Sequence, residues 1–454
     1  MLKFLREDWQ FIALVFLWVA VAVFTGPIIY AFLPLSVFFM KSRDMWAELV
    51  FGFLIILVLS DITGEFVHMR VFKSAKNMYI AALAIIFLLE RQRFVPFSQV
   101  FTIFLPFFIY SLFPLVFSNS MVVAVQKTLS YALMYLVVPN YVLYNFRRIG
   151  WPFFRNLMFF MAAILLAGWF AHYYGTFYSY VGGRFRGIFG NPNGMAIYCY
   201  LTIVLLTVLI SLNRQLFSRN EKILLYGVIG FFLIYSGSRS SLTATMIFLL
   251  FNRFFARSPF LGFIGLVFFI GAAEVVSSNL EGIITALGLQ EYFRLKTLED
   301  GSGRYFAWAF AWGYVQRYFV FGGGFANDEV IMRYNRFYLW SMGHQGGVHN
   351  SYLSFWLDTG IVGLLTFLRS FFLLFFKASR LVPMSLAVMF SVLFSIMYES
   401  WLIGSLNPYT IVLLVIMTVV SEEEITDWAT RVTEPDEEDQ PEEDAARPAL
   451  AAAN

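Results

Sequence analysis

The chain has 454 residues, of which 59% are hydrophobic and only 13% are charged, and its mean hydropathy is +0.70. Because a soluble domain carries about 25% charged residues, most of this chain is predicted to lie in lipid. The apolar runs are long and lack the alternation of a membrane barrel, so they predict helices. The single cysteine, Cys199, excludes an internal disulfide framework and a thiolate-rich metal cluster.

The apolar runs predict an all-α polytopic membrane protein. The first run, Phe11 to Thr25, continues past Gly26-Pro27 into more apolar sequence without a small-residue cleavage site, which is typical of a retained span. Other runs approach the roughly 20 residues that cross a bilayer, among them Val95 to Phe117, Gly194 to Leu212, Tyr352 to Phe376 and Trp401 to Val420. Counting them predicts about 12 to 14 transmembrane helices, two or three of them short or re-entrant.

Basic residues predict the orientation of these spans. They lie on one side, which the positive-inside rule makes the cytoplasm, and both termini are on that side. These residues are Lys3, Arg6, Lys41, Arg43, Arg91, Arg93, Arg147, Arg148, Arg214, Lys222, Arg253, Arg257, Lys377 and Arg380. One loop does not fit. Asp61 to Asn77 carries Arg70, Lys73 and Lys76 yet falls outside, so either the count errs by one span, which we favour, or the loop is functionally basic.

The charge divides the chain into two parts. Residues 421–454 hold 12 acidic and 2 basic residues, so the formal charge of +3 is the sum of −10 on this tail and +13 on the remainder. We expect one transmembrane domain over residues 1–420, with short amphipathic helices in an external loop at 277–350. The tail has the composition of a solvated, disordered segment and is predicted to be cytoplasmic. Besides the loop at 277–350, residues 175–193 form the other sizeable segment that is predicted to lie on the external face.

Arginines in the predicted external segments indicate an anionic ligand. Arg184 and Arg186 lie two positions apart in Gly-Gly-Arg-Phe-Arg-Gly, and Arg304 ends Gly-Ser-Gly-Arg. In an extended stretch the first two would point the same way, and guanidinium groups suit phosphate oxygens. Arg239 interrupts an apolar run within Ser-Gly-Ser-Arg-Ser-Ser, where a cation is usually paired or functional. The alternative is that these arginines anchor loops or snorkel to headgroups.

The segment that starts at His349 carries the best candidate for a catalytic base. Asn350 or Ser351 can cap a helix that follows it. Since successive residues of a helix are about 100° apart, five residues fall on one face, and this face is predicted to pack into the bundle. They are His349, Leu353, Trp356, Gly360 and Gly363. The two glycines would allow a neighbouring helix to approach closely. A helix N-terminus disfavours imidazolium, so His349 is predicted to be neutral, as a general base must be.

Other titratable residues receive smaller roles. Asp358 lies half a turn out of phase with His349 and is interpreted as structural. Glu399, at the external end of another span, is a looser candidate for orienting the histidine. His344 and His172 have no such sequence context and are assigned no role. No clustered Asp and His of ligand spacing appear in the external segments, so we expect no metal.

Several motifs together resemble the O-antigen ligase and polymerase superfamily over roughly residues 180 to 365. They are His349-Asn350-x-x-Leu353, Asp358-x-Gly360-x-x-Gly363, Gly303-Arg304-x-x-x-Trp308, Phe321-Gly322-x-Gly324, Arg186-Gly187-x-Phe189-x-Asn191-Pro192-Asn193 and Ser238-Arg239-Ser240. The family often has glutamate where this chain has Asp358. Since that position is interpreted as structural, the departure puts little in doubt.

The resemblance implies a membrane enzyme that transfers a glycan from undecaprenyl-diphosphate to an acceptor hydroxyl, on lipid A-core or another glycan, at the periplasmic face. It implies no nucleotide sugar, metal or other cofactor. His349 would be the general base, Arg239 and Arg304 would hold the diphosphate, and Arg184 and Arg186 would assist. Two alternatives remain open, namely a repeat-unit polymerase of the same superfamily and a transporter of lipid-linked glycan.

Overall fold

The computed structural model describes residues 9–62, 67–175, 179–258, 260–265, 267–268, 304–344, 346–404 and 406–427. Some predictions fall outside these residues. They concern the terminal cations Lys3 and Arg6, the part of the external loop before Arg304, and the tail from residue 428 onward.

The described residues are mainly helical. The α-helices, numbered here in chain order, are α1 Trp9–Thr25, α2 Ile29–Ser42, α3 Trp46–Asp61, α4 Phe72–Leu89, α5 Gln99–Ser111, α6 Met121–Ile149, α7 Pro152–Ala171, α8 Pro192–Leu212, α9 Arg219–Tyr235, α10 Arg239–Arg257, α11 Arg304–Val315, α12 Asn327–Tyr334, α13 Arg336–Ser341, α14 Ser351–Ala378, α15 Ser385–Tyr398 and α16 Pro408–Ser421. Short 3-10 helices are Gly26–Ile28, Val67–Val71, Arg91–Phe94, Pro114–Phe117, His172–Tyr174 and Gln316–Tyr318. Strands β1 Tyr180–Val181 and β2 Arg184–Phe185 form an antiparallel hairpin.

These helices confirm the predicted class, an all-α polytopic membrane protein. Within the described residues, 7 helical stretches are long and apolar enough to cross a membrane; they are Trp9–Ser42, His68–Leu89, Gln99–Phe117, Met121–Ile149, Pro152–Ala171, Pro192–Leu212 and Ser351–Ala378. Shorter apolar helices, such as α15 and α16, pack among them. The number of 12 to 14 spans stays a prediction.

Burial follows the position of each helix in the bundle. Every residue of α16 is buried, and α16 packs against α8, α6 and α14, so it lies at the centre. In contrast, α1 has few buried residues and exposes large side chains such as Phe24. A helix that is apolar all round belongs in a core or in lipid, and both cases occur here.

Several of the predicted cytoplasmic cations form ion pairs on one face of the bundle. Lys41 Nζ lies 2.6 Å from Glu90 Oε1, and Arg147 Nη2 lies 2.7 Å from Glu424 Oε1. Arg148 pairs with Asp44 on the same face. Glu424 belongs to the first turn of the acidic tail, so this part of the tail packs against the bundle. That the face is cytoplasmic stays a prediction.

The loop from Asp61 to Asn77 lies on the opposite face. The Asp61 carboxylate accepts hydrogen bonds from the Gly190 amide and the Tyr409 hydroxyl, each at 2.9 Å, and Lys76 Nζ donates to the Leu406 carbonyl at 2.7 Å. These partners precede or begin helices whose other ends reach the basic face. These contacts place the loop at the end of the bundle opposite the basic face, which contradicts the favoured explanation of a miscounted span. That the loop is functionally basic stays a prediction.

Helix α14 is broken at Gly360, where φ is +68°. The carbonyls of Leu357 and Asp358 accept from Gly323 N at 3.0 Å and Gly324 N at 2.8 Å, while Ile361 N donates to the Phe319 carbonyl at 2.8 Å. A Cβ atom at Gly360 would lie 2.1 Å from the Val320 carbonyl oxygen. The predicted close approach therefore exists, but at Gly360 the neighbour is the backbone of residues 319–324 and not a helix.

Asp358 has the structural role that we expected. Its carboxylate is buried and accepts from Ala326 N at 2.8 Å and Asp328 N at 2.9 Å. These amides belong to the start of α12, where amide groups lack helical partners. Asp358 thus fixes α12 to the broken part of α14.

Candidate functional site

One carboxylate joins three segments of the chain at the end of the bundle opposite the basic face. Glu399 follows α15, and its Oε2 atom lies 3.0 Å from His349 Nδ1. Its Oε1 atom accepts from Arg304 Nη2 at 2.6 Å and from Asn193 Nδ2 at 2.7 Å. The Glu399 side chain is only 11% exposed, against 30% for His349. The loosely predicted pairing of Glu399 with His349 is therefore present.

Backbone contacts hold His349 beside Glu399. Asn350 is the cap of α14, since its Oδ1 atom accepts from Leu353 N at 3.1 Å. Asn350 N donates to Ser400 Oγ at 2.9 Å, and the Ser351 hydroxyl donates to the Glu399 carbonyl at 2.8 Å. The start of α14 is thus fixed to the segment after α15, and His349 adopts a left-handed φ of +52° between them. Such a conformation persists only where surrounding contacts determine it.

The hydrogen bond from His349 to Glu399 determines which ring nitrogen can act as a base. A carboxylate accepts only, so Nδ1 carries a proton and Nε2 is the nitrogen that can take one from a substrate. A Cβ atom at Gly346 would lie 2.8 Å from His349 Nε2, so the backbone there borders this nitrogen. Burial acts to raise the pKa of Glu399, but its hydrogen bond to His349 and the charge of Arg304 together lower that pKa below its usual value.

Three helix N-termini meet at Glu399. Asn193 lies in the first turn of α8, Arg304 begins α11, and His349 immediately precedes the cap of α14. Each N-terminus carries partial positive charge, which favours anions and disfavours cations such as the Arg304 guanidinium. The arrangement therefore concentrates positive potential that the single charge of Glu399 balances only in part.

Arg184 extends this cluster toward Arg239. Its Nη2 atom donates to Asn193 Oδ1 at 2.7 Å, and its Nε atom donates to the Ser236 carbonyl at 2.9 Å. Ser236 belongs to the turn between α9 and α10, and Arg239 is the first residue of α10. The side-chain amide of Asn193 thus bridges Arg184 and Glu399. The turn that precedes Arg239 also contacts Arg184.

Arg186 has different surroundings from Arg184. Strand β2 ends at Phe185, so the alternation that would direct both arginines the same way does not continue. Arg186 is 3% exposed, and its Nη1 atom donates to the Gly190 carbonyl at 3.2 Å. Burial lowers the pKa of Arg186, and the charge of Asp61 opposes that lowering. Among its described contacts Arg186 supports its own loop, and its role with a diphosphate stays a prediction.

Two residues of the cluster were not predicted. Asn193 was noted only as part of a motif, and its tie to Glu399 spans 206 positions. His344 is 3% exposed, its ring centre lies 5.8 Å from that of His349, and its Nε2 atom lies 3.0 Å from the Gly347 carbonyl. Burial lowers the pKa of His344. His344 therefore lies beside His349, and its nearness in sequence to His349 was the available signal. That His344 has no functional role stays a prediction.

Fold and site together define a polytopic membrane protein with a histidine, a glutamate and arginines at one end of its bundle. Among the described residues, no group of three or more His, Cys, Asp and Glu side chains could hold a metal ion. Residues 224–368, which include Arg239, Arg304 and His349, match the family described as O-Antigen ligase. This match confirms, over residues 224–368, the resemblance to the O-antigen ligase superfamily that the motifs predicted. No curated protein matches the chain.

Proposed function

We propose that the protein is a glycan ligase that transfers a glycan from undecaprenyl-diphosphate to an acceptor hydroxyl, on lipid A-core or another glycan. The reaction takes place at the outer face of the bacterial inner membrane, and both termini are cytoplasmic. The observation that carries the proposal is the contact of one carboxylate, Glu399, with both the candidate base His349 and the candidate diphosphate ligand Arg304. The match of residues 224–368 to the O-antigen ligase family supports the general activity.

His349 activates the acceptor in this proposal. Its Nε2 atom takes the proton from the acceptor hydroxyl while the oxygen attacks the anomeric carbon of the donor sugar. A new glycosidic C–O bond forms, and the bond from that carbon to the diphosphate oxygen breaks, so the electron pair leaves with the diphosphate. Glu399 holds the ring and stabilises the imidazolium that results.

The arginines stabilise the leaving diphosphate. Arg304 and Arg239 lie at helix N-termini, and Arg184 contacts the turn before Arg239. Guanidinium groups bind phosphate oxygens through paired N–H donors. In a partly buried site each well-placed donor contributes about 2 to 4 kcal/mol of transition-state stabilisation. This chemistry needs no bound cation.

Replacing His349 with alanine tests the role of the base. The purified full-length protein in detergent should convert lipid-linked donor and acceptor into product, and His349→Ala should lower that rate by about 10²-fold or more. His68→Ala, at an exposed histidine on the outer face, is the matched control and should keep normal activity. Near-normal product from His349→Ala would contradict the proposed base.

Glycans from cells with and without the protein distinguish the alternatives. A ligase predicts that deletion leaves polymer on undecaprenyl-diphosphate, whereas a polymerase predicts single repeat units. The two share a donor and a site and differ in the acceptor. Conversion of donor into product by the purified protein would exclude pure transport.

A further inference from the structure

The side chain of Asn193 lies between two oppositely charged groups of the candidate site. Its Nδ2 atom donates to Glu399 Oε1 at 2.7 Å, and its Oδ1 atom accepts from Arg184 Nη2 at 2.7 Å. A side chain that bridges an anion and a cation in this way needs both a donor and an acceptor, and an amide has both. Because the amide is neutral, it joins the two groups without adding a charge to the site.

The backbone around Asn193 is held in place by its neighbours. Asn191 caps α8 through its Oδ1 atom, which accepts from Gly194 N at 2.7 Å. A Cβ atom at Gly194 would lie 2.0 Å from the Tyr409 hydroxyl oxygen, so α16 packs directly against this turn. The Tyr409 hydroxyl in turn donates to Asp61 Oδ2 at 2.9 Å. The amide of Asn193 is therefore presented from a fixed part of the bundle.

The bond from Asn193 bears on how Glu399 is oriented. Among the described contacts, Arg304 donates to Glu399 Oε1, while Oε2 faces His349. A guanidinium group and a carboxylate favour a bidentate pair that uses both oxygens. Such a pair with Arg304 would draw Oε2 away from His349. The donor of Asn193 binds Oε1 from another direction and so opposes this rotation.

We propose that Asn193 is a positioning residue that keeps Glu399 turned toward His349 while it holds Arg184 in the diphosphate site. The inference rests on the proposed function, because it assumes that His349 is the base and that Arg184 binds the diphosphate. The alternative is that Asn193 only supports the start of α8. In that case its replacement would change stability, with no dependence on the charge at this position.

Asn193→Asp separates the two roles because the new side chain has nearly the same shape. A protonated carboxyl group has one donor and one acceptor and can replace the amide, whereas an ionised one accepts only and repels Glu399. Since a second carboxylate nearby favours the protonated form, the new side chain should be protonated at acidic pH and ionised at alkaline pH. The other charged or titratable groups around this pair are Arg184, Arg304, His349, Asp61 and Tyr409.

The test compares Asn193→Asp with the unmodified full-length protein in detergent at each pH. The ratio of their kcat values should approach 1 at about pH 5 and fall about tenfold by about pH 8. The ratio of their affinities for inorganic pyrophosphate should fall in the same direction, because the ionised side chain adds a negative charge beside Arg184. The matched control is Asn119→Asp, at an exposed asparagine that donates to the Tyr318 hydroxyl, and its ratios should stay at 1.

Ratios for Asn193→Asp that do not change with pH would overturn the proposal, whether they are low or equal to 1. Asn193→Ala provides a second measurement if the aspartate variant does not fold. It removes both bonds at every pH and should lower kcat per folded molecule about tenfold. A normal kcat in Asn193→Ala would also overturn the proposal.

The pyrophosphate measurement does not depend on turnover. If the protein transfers no glycan but pyrophosphate affinity of Asn193→Asp falls with rising pH, the proposed function is wrong and Asn193 still positions Arg184. If glycan is transferred and both ratios are constant, only the role of Asn193 is wrong. An unmodified protein that neither binds pyrophosphate nor transfers glycan would overturn both.

Discussion

The two carboxylate oxygens of Glu399 contact different groups, one the candidate base His349 and the other the Arg304 cation. Oε2 faces His349 Nδ1, and Oε1 accepts from Arg304 and Asn193. Because its pKa is lowered, Glu399 stays ionised in the folded protein at neutral pH. The stability that this carboxylate adds is present above its unfolded pKa and is lost as pH falls through the folded value, in the acid range.

Glu399→Gln should lower kcat by about 10²-fold or more, because an amide cannot balance the imidazolium that forms on His349. Since Glu399 does not titrate near neutral pH, the variant should lose rate throughout pH 6 to 8 and not at one end of it. Steady-state rates of the purified protein over this range provide the measurement. Glu423→Gln, at an exposed position on the opposite face, is the control. Unchanged kcat would show that Glu399 has no part in turnover.

Among the elements, α14 carries the site at its start and a break nine residues later. The backbone of residues 319–324 replaces the hydrogen bonds that a continuous helix would make there. Polar backbone groups at membrane depth are tolerated only when protein partners satisfy them. Asp358 joins the break to α12, so α12 is attached to the same helix that positions His349.

Gly360→Ala should destabilise the protein, because a side chain at a φ of +68° is strained and its Cβ atom would lie 2.1 Å from the Val320 carbonyl oxygen. The backbone strain alone costs about 1 to 3 kcal/mol. Thermal unfolding in detergent should therefore show a lower Tm. Gly230→Ala, a helical glycine with open space around it, should leave Tm unchanged or slightly higher. A Tm for Gly360→Ala equal to that of the unmodified protein would mean that α14 can close its break.

The whole molecule has two chemically different ends. One end carries ion pairs between basic loops and acidic residues, including the first turn of the tail. The other end carries the cluster around Glu399 and the basic loop after Asp61. The proposed reaction requires the second end to face away from the cytoplasm, where a lipid-linked glycan meets its acceptor.

Labelling with a membrane-impermeant maleimide tests this orientation. Cys199 is buried, so background labelling should be low. Ser341→Cys, at the site end, should react in intact spheroplasts, whereas Asn220→Cys, at the basic end, should react only after permeabilisation. Both positions are exposed. The reverse pattern would place the site in the cytoplasm.

The amino-acid sequence by itself determined the membrane class and limited the helix cap to Asn350 or Ser351, and it predicted a functional segment around His349. These features depend on composition and on interactions within one or two helical turns, so residues that are close in sequence are enough to predict them. The structural role of Asp358 was also predicted, because helical phase separates it from His349.

Only the tertiary structure decided what surrounds the histidine. His349 meets Glu399 across 50 positions, and Arg304 meets it across 95. The position of the Asp61 loop and the break of α14 at Gly360 likewise depend on partners that are distant in sequence. Periodicity fixes which face a residue occupies on its own helix, but the packing of separate helices determines which faces meet.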